Sequence, residues 1–133
     1  MSEPNVALLG YGYWGKNLAR NLHEMGVLKL VCDPSEEARQ RFHGQISSVG
    51  VEESFERVLT NPSVNAIVLA TPAETHFHLA ADALRSGKDV FVEKPLALNA
   101  IEGAELCDLA EKNYSILMVG HLLEYHPAVE AMK

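Results

Sequence analysis

The sequence has 133 residues, of which 47% are hydrophobic and 22% charged, with a formal net charge of −7. These values describe one globular domain long enough to bury a core, and they exclude the disordered and linker classes. The acidic balance argues against the clustered Lys and Arg by which a protein meets nucleic-acid phosphates. No secretory leader opens the sequence and no apolar run nears the about 18 residues of a membrane span, so a soluble, cytoplasmic protein is expected.

Residues 5 to 15, NVALLGYGYWG, read as a strand, a tight turn and a helix start. In the dinucleotide-binding form of this unit, Gly10 permits the turn, Gly12 lets backbone approach a pyrophosphate, and Gly15 lets helix pack on strand. The helix that follows points its unpaired N–H groups and the positive end of its dipole at the phosphates. Leu18, Ala19, Leu22 and Met25 recur at helical spacing until Gly26, which predicts a helix over about residues 14 to 25. The next apolar run, Val27 to Cys32, ends in Asp33, where a carboxylate accepts hydrogen bonds from the adenosine ribose hydroxyls. That context separates the turn from a plain packing turn. Pro34 follows Asp33, and no Lys or Arg comes at once to receive a ribose 2′-phosphate, so NAD is favoured. Arg39 and Arg41 keep NADP as the less favoured cofactor.

Pro34 and Ser35 precede a predicted helix over Glu36 to His43, and Ile46 to Val51 is a weak strand. Phe55, Val58 and Leu59 make the inward stripe of a short helix that stops at Asn61 and Pro62. Ala66 to Ala70 is a continuous apolar run, as a central parallel strand covered on both faces requires. It ends at Thr71 and Pro72, and TPAETHFH leads into a helix burying Leu79, Ala80, Ala83 and Leu84 before Gly87. Asp89 to Val92 is a short strand ending in Glu93, Lys94 and Pro95. Asn99 and Glu102 have the spacing of a reciprocal N-cap, for a helix that runs to about Lys112 and buries Ala104, Cys107 and Ala110. Ser115 to Val119 is one more strand, ending at Gly120 and His121, and a helix starts near Pro127. The alternation predicts an α/β fold, a Rossmann-type doubly wound parallel sheet with helices on both faces. The nucleotide-binding domain is expected over residues 1–120, with 121–133 opening a connection to a further domain.

If strand order reverses between the first and fourth strands, Gly10 and Thr71 flank one crevice, and the strand ends at Thr71 and Glu93 share its rim. Lys94 is either a solvated charge on a turn or a cation aimed at that cleft. In the second case its ammonium hydrogen-bonds a substrate hydroxyl and stabilises charge developing on the oxygen as a hydride leaves. His76, in the first turn of its helix, either faces the cofactor or is a surface histidine, and His121 is placed to reach the nicotinamide or the substrate. His76 and His78 fit no helical metal pair, and Cys32 and Cys107 have no zinc spacing, so no metal is expected and both thiols read as buried.

Together, GYGYWG near the start, ATPAETH after the fourth strand and VEKPLALN after the fifth resemble the glucose-fructose oxidoreductase, inositol dehydrogenase and rhizopine-catabolism (Gfo/Idh/MocA) family over nearly the whole chain. The glycine turn is generic; the EKP tripeptide at its place in the order is the specific part. The later GHLLEYHPAV is similar to the branch that oxidises nucleotide-linked amino sugars. The resemblance implies an NAD(P)-dependent oxidoreductase moving hydride between a sugar carbon and nicotinamide. It implies Lys94 as the catalytic-site lysine, Glu93 near the nicotinamide ribose, Thr71, Pro72, Thr75 and His76 along the cofactor, and Tyr13 and Trp14 against the pyrophosphate turn. It further implies a second α/β domain that covers the sugar site, supplies more acid–base residues and builds a homo-oligomer. Two other readings compete: an NAD-binding module or sensor without chemistry, and an adenosyl-dependent methyltransferase, which leaves Glu93, Lys94 and Pro95 without a task.

Overall fold

The computed structural model describes residues 3–133. Six strands alternate with helices: β1 Val6–Leu9, β2 Leu28–Cys32, β3 Gly50–Glu52, β4 Ala66–Leu69, β5 Asp89–Glu93 and β6 Leu117–Gly120. The helices are α1 Gly15–Glu24, α2 Glu36–Gln45, α3 Phe55–Thr60, α4 His76–Arg85, α5 Ala100–Lys112 and α6 Pro127–Glu130. All strand pairs are parallel, in the order β3-β2-β1-β4-β5-β6. The order reverses between β1 and β4, so the loops leaving these two strands diverge and open a crevice at the carboxyl edge of the sheet.

Alternation along the strands feeds two cores. Ala7, Leu9, Ile67, Leu69, Val90 and Val92 face α3, α4 and α5, where Val58, Ala80, Ala83, Leu84, Leu106 and Ala110 meet them. Val6, Leu8, Leu28, Val31 and Val68 face α1 and α2, against Ala19, Ala38 and Phe42. On this second face no described helix covers the outer half of the sheet. Leu18, Leu22, Ala66, Val68, Phe91, Ile116 and Met118 line an apolar groove of about 300 Å³ there. At the opposite edge from the crevice, the buried Lys88 ammonium donates to the Val64 and Asn61 carbonyls at 2.6 and 3.1 Å.

Several boundaries and faces differ from the sequence reading. Ile46 caps α2 instead of opening a strand, because β3 is a three-residue edge strand paired only with Leu30, Val31 and Cys32. Met25 lies past the end of α1 and is exposed. In α5 the inward positions are Leu106 and Ala110, with Leu109 partly buried. Ala104 and Cys107 are turned out, since the large leucines and not the small residues set which face docks. The N-cap of α5 runs one way: Asn99 Oδ1 accepts from the Glu102 amide at 2.9 Å, while the buried Glu102 Oε2 has no partner. The last strand starts at Leu117, two residues late, with the Ile116 amide donating to Asp89 Oδ1 at 2.7 Å. Among the described residues no helix is long and apolar enough to cross a membrane, and no group of His, Cys, Asp and Glu side chains is gathered to hold a metal.

The two cysteines also separate. Cys107 is exposed, whereas burial, then the nearby Glu52 and Asp33 carboxylates, push the Cys32 thiol up to about 12. A thiolate is the reactive form. Titration with a disulfide reagent at about pH 8 is therefore expected to modify Cys107 alone in the native protein and both thiols after denaturation. Two thiols reacting in the native state at equal rates would refute this placement.

Candidate functional site

The glycine turn is shaped by how closely two strand tips approach it. Gly10 has φ of +92°, its amide donates to the Cys32 carbonyl at 2.9 Å, and the Ala70 amide donates to the Leu9 carbonyl at 2.8 Å. A Cβ on Gly10 would stand 2.6 Å from the Ala70 carbonyl oxygen, and one on Gly15 would strike the Gly10 carbonyl. Gly12 has no atom within 4 Å of such a Cβ and so leaves its face of the turn bare. α1 starts at Gly15 with no side-chain cap, and the amides of residues 12 to 15 find no acceptor among the described residues. Unpaired amides at the positive end of a helix dipole, beside bare backbone, form a receptor for a diphosphate.

Tyr11, between the first two glycines, has a part that the sequence does not signal. It is 4% exposed, packs edge-on to Phe42 with ring centroids 5.2 Å apart, and donates its hydroxyl to Gln45 Oε1 at 2.8 Å. Burial raises its phenol above the ordinary 10.0, with Arg41 opposing. Its amide donates to Asp33 Oδ2 at 2.9 Å, and the Ser35 amide donates to Asp33 Oδ1 at 2.8 Å. The Asp33 carboxylate is thus fixed in direction at the tip of β2, and each oxygen keeps a lone pair for a further donor. Arg39 is committed elsewhere, donating to the Asp33 carbonyl at 2.7 Å and standing 3.6 Å from a Glu53 carboxylate oxygen. Arg41 lies half exposed against Glu37, 3.4 Å from the Tyr11 carbonyl.

Beyond the turn lies a cleft of about 900 Å³ that brings together Trp14, Thr71, His76, Glu93, Lys94 and His121. Asp33, Gly10, Gly12, Tyr13, Pro72 and Thr75 do not line it. The first three lie at the tips of β1 and β2, while Tyr13 is 83% exposed with the Lys16 ammonium 5.1 Å from its ring centroid. Thr75 Oγ1 stands 2.7 Å from both Thr71 Oγ1 and the Pro72 carbonyl. A hydroxyl has one proton, so Thr71 and Thr75 share two donors across these contacts and lock the turn after β4. His76 is 1% exposed, neither a surface residue nor one with a free nitrogen: Nδ1 lies 2.7 Å from the Pro95 carbonyl and Nε2 2.9 Å from the Thr71 carbonyl.

Glu93 and Lys94 differ in kind although adjacent. Glu93 Oε1 is buried with no partner, and it lies over Gly120, whose absent side chain would come within 2.9 Å of that oxygen. An orphaned carboxylate oxygen at a cleft wall is a seat for a hydroxyl donor. Lys94 is exposed at the cleft, with no hydrogen bond or ion pair among the described residues, and the Lys94–Pro95 peptide is cis. His121 is exposed and starts the 3₁₀ turn Leu122–Tyr125. The remaining wall is Leu122, Leu123 and Glu124, part of the GHLLEYHPAV stretch; the sequence offered that stretch only as a resemblance and gave these three residues no place in the cleft. His126 caps α6, its Nδ1 accepting from the Ala128 amide at 3.2 Å.

A glycine turn over an uncapped helix, a carboxylate held at the tip of β2 and a cleft across the β1–β4 switch define an NAD-binding Rossmann domain. Residues 4–121 match the oxidoreductase family with NAD-binding Rossmann fold, GFO_IDH_MocA, and the chain belongs to that family. It is similar to the scyllo-inositol 2-dehydrogenase (NAD(+)) of Bacillus subtilis, 31% identical over 95% of this chain and 38% of the relative. It is also similar to the UDP-N-acetylglucosamine 3-dehydrogenase of Acidithiobacillus ferrooxidans, 26% identical over 100% of this chain and 42% of the relative. Among solved structures, GenD2 from gentamicin A biosynthesis in complex with NAD superposes with a TM-score of 0.83 at 29% identity, covering 90% of this chain and 35% of that one. The chain spans about two-fifths of the length of these two dehydrogenases.

Replacing Gly10 by alanine forces a left-handed backbone and an overlap with the Ala70 carbonyl. The variant is expected to lose about 2 kcal/mol or more of unfolding free energy, read by chemical denaturation, whereas Gly12→Ala should stay within about 1 kcal/mol of the parent. Equal stabilities for the two variants would refute the assignment.

Proposed function

We propose that this chain provides the cofactor-binding domain, residues 1–120 with 121–133 opening the connection, of an NAD-dependent dehydrogenase acting on a sugar. The finer expectation is a nucleotide-linked amino sugar, and the similarity to a UDP-N-acetylglucosamine 3-dehydrogenase supports it. One observation carries the reading: a diphosphate receptor and an exposed, unpaired lysine beside an orphaned carboxylate share one edge of the sheet. The cofactor, when bound, supplies a hydride acceptor and donor.

The chain's own residues divide the remaining work. Gly10, Gly12 and Gly15 with the first turn of α1 bind the diphosphate, and Tyr13 and Trp14 lie against it. Asp33 accepts from the adenosine ribose hydroxyls and repels a 2′-phosphate, which favours NAD over NADP. Thr71 and His76 wall the cleft, Pro72 and Thr75 brace the turn behind them, and Glu93 accepts a hydroxyl of the nicotinamide ribose. Lys94 hydrogen-bonds the substrate hydroxyl and stabilises the charge that grows on its oxygen, while His121 borders the sugar.

Quenching of Trp14, the single tryptophan, should report saturable NADH binding, with NADPH weaker on the order of tenfold. Equal affinities would overturn the role given to Asp33, and no binding by a folded chain would overturn the cofactor reading. Supplying NAD with inositols and UDP-N-acetylhexosamines then separates a dehydrogenase from a binding module. In a protein that turns over, Lys94→Met is expected to cost about 10²–10⁴-fold in kcat. Unchanged turnover would remove Lys94 from the chemistry.

A further inference from the structure

The β4–β5 ladder ends at the pair Leu69 and Val92. Past that point the two chains separate into the turn of residues 70–75 and the turn of residues 94–99. Among the described residues, no backbone-to-backbone hydrogen bond crosses from one turn to the other. The imidazole of His76 does cross. Its Nδ1 meets the Pro95 carbonyl and its Nε2 the Thr71 carbonyl, at 2.7 and 2.9 Å, from a ring that is 1% exposed.

Both partners are acceptors, so a neutral ring donates to one of them and an imidazolium to both. A histidine that merely filled core volume would need no such pair, since an aromatic hydrocarbon of similar size packs equally well. The residue fixed by the Pro95 contact is the neighbour of Lys94, whose own side chain has no hydrogen-bond or ion-pair partner among the described residues. The lysine's backbone is held at the cleft wall by the β5–β6 pairing of Glu93 with Gly120 on one side and, on the other, by the His76 bridge at Pro95 and the packing of Leu96 on the core.

We propose that His76 is a positioning residue: it ties the turn after β5 to the turn after β4 and thereby sets where the Lys94 ammonium stands in the cleft. This rests on the reading that Lys94 acts there. The bridge spans two loops that carry different jobs, the Thr71 turn walling the cofactor and the Lys94 turn meeting the substrate. A shift of either loop is passed to the other through one ring.

The test uses His76→Phe, which keeps a ring but no donor, and His76→Gln, whose amide nitrogen serves one carbonyl. NMR order parameters of the Lys94 and Leu96 amides are the primary readout and NADH affinity the second. Order at Lys94 should fall from parent to His76→Gln to His76→Phe, with NADH affinity falling about three- to tenfold in His76→Phe. If His76→Phe does not fold, His76→Gly titrated with imidazole replaces it. Recovery of Lys94 order with imidazole, and not with the apolar ring thiophene, is expected. Parent-like order at Lys94 in His76→Phe, or recovery with thiophene, would overturn the proposal. The amide readout does not depend on cofactor, so a parent protein that ignores NADH refutes the cofactor reading without being mistaken for failure of the bridge.

Discussion

The approach of the Gly10 backbone to the Ala70 carbonyl is the constraint from which the rest of the site follows. Only a residue without a side chain takes the left-handed turn there and still lets the Leu9 carbonyl receive the Ala70 amide. That bond holds β1 and β4 together up to their ends. Because they stay paired to the last residue, their loops part abruptly, and the cleft opens where they part. A longer side chain at Gly10 would separate the strand tips and blur the crevice into a groove.

The glycine turn is a joint of three elements. Tyr11 carries it down to α2 through Phe42 and Gln45, and its amide reaches across to Asp33 on β2. The first turn of α1 presses so closely on Gly10 that Gly15 has no room for a side chain. The glycine turn, the start of α1 and the carboxylate at the tip of β2 are consequently a single rigid body. The other side is built differently: Thr75 bonds to the Thr71 hydroxyl and the Pro72 carbonyl, His76 meets the Thr71 and Pro95 carbonyls, and the Lys94 ammonium beside them is unpaired among the described residues.

Much of this was legible in the sequence because it depends on residue types with few substitutes. The glycines, the carboxylate after the second apolar run and the polar clusters after Leu69 and Val92 are local signals, and the alternation of runs specified the sheet. What escaped depends on contacts between distant residues. Tyr11 looked interchangeable until Phe42, Gln45 and Asp33 surrounded it. His76 seemed either exposed or turned to a ligand, because its two carbonyl partners come from separate loops. The docking face of α5 was misread by favouring Ala104 and Cys107 over Leu106, where residue size decided the matter. The cleft wall at Leu122 to Glu124 lies in the GHLLEYHPAV stretch, whose resemblance did not say which side chains face the cleft.

The double bond pattern of Asp33 bears on how such a domain changes its dinucleotide preference over evolutionary time. On the proposed reading its carboxylate serves the ligand with one lone pair of each oxygen and the protein with the other, through the Tyr11 and Ser35 amides. Exchange for a residue that welcomes a phosphate removes two internal acceptors at once and loosens the turn that must grip the diphosphate. Recognition and scaffold are entangled in one side chain. A lineage drifting toward the phosphorylated dinucleotide therefore has to repair the joint while it alters the reader, and single-step switches at this position are disfavoured.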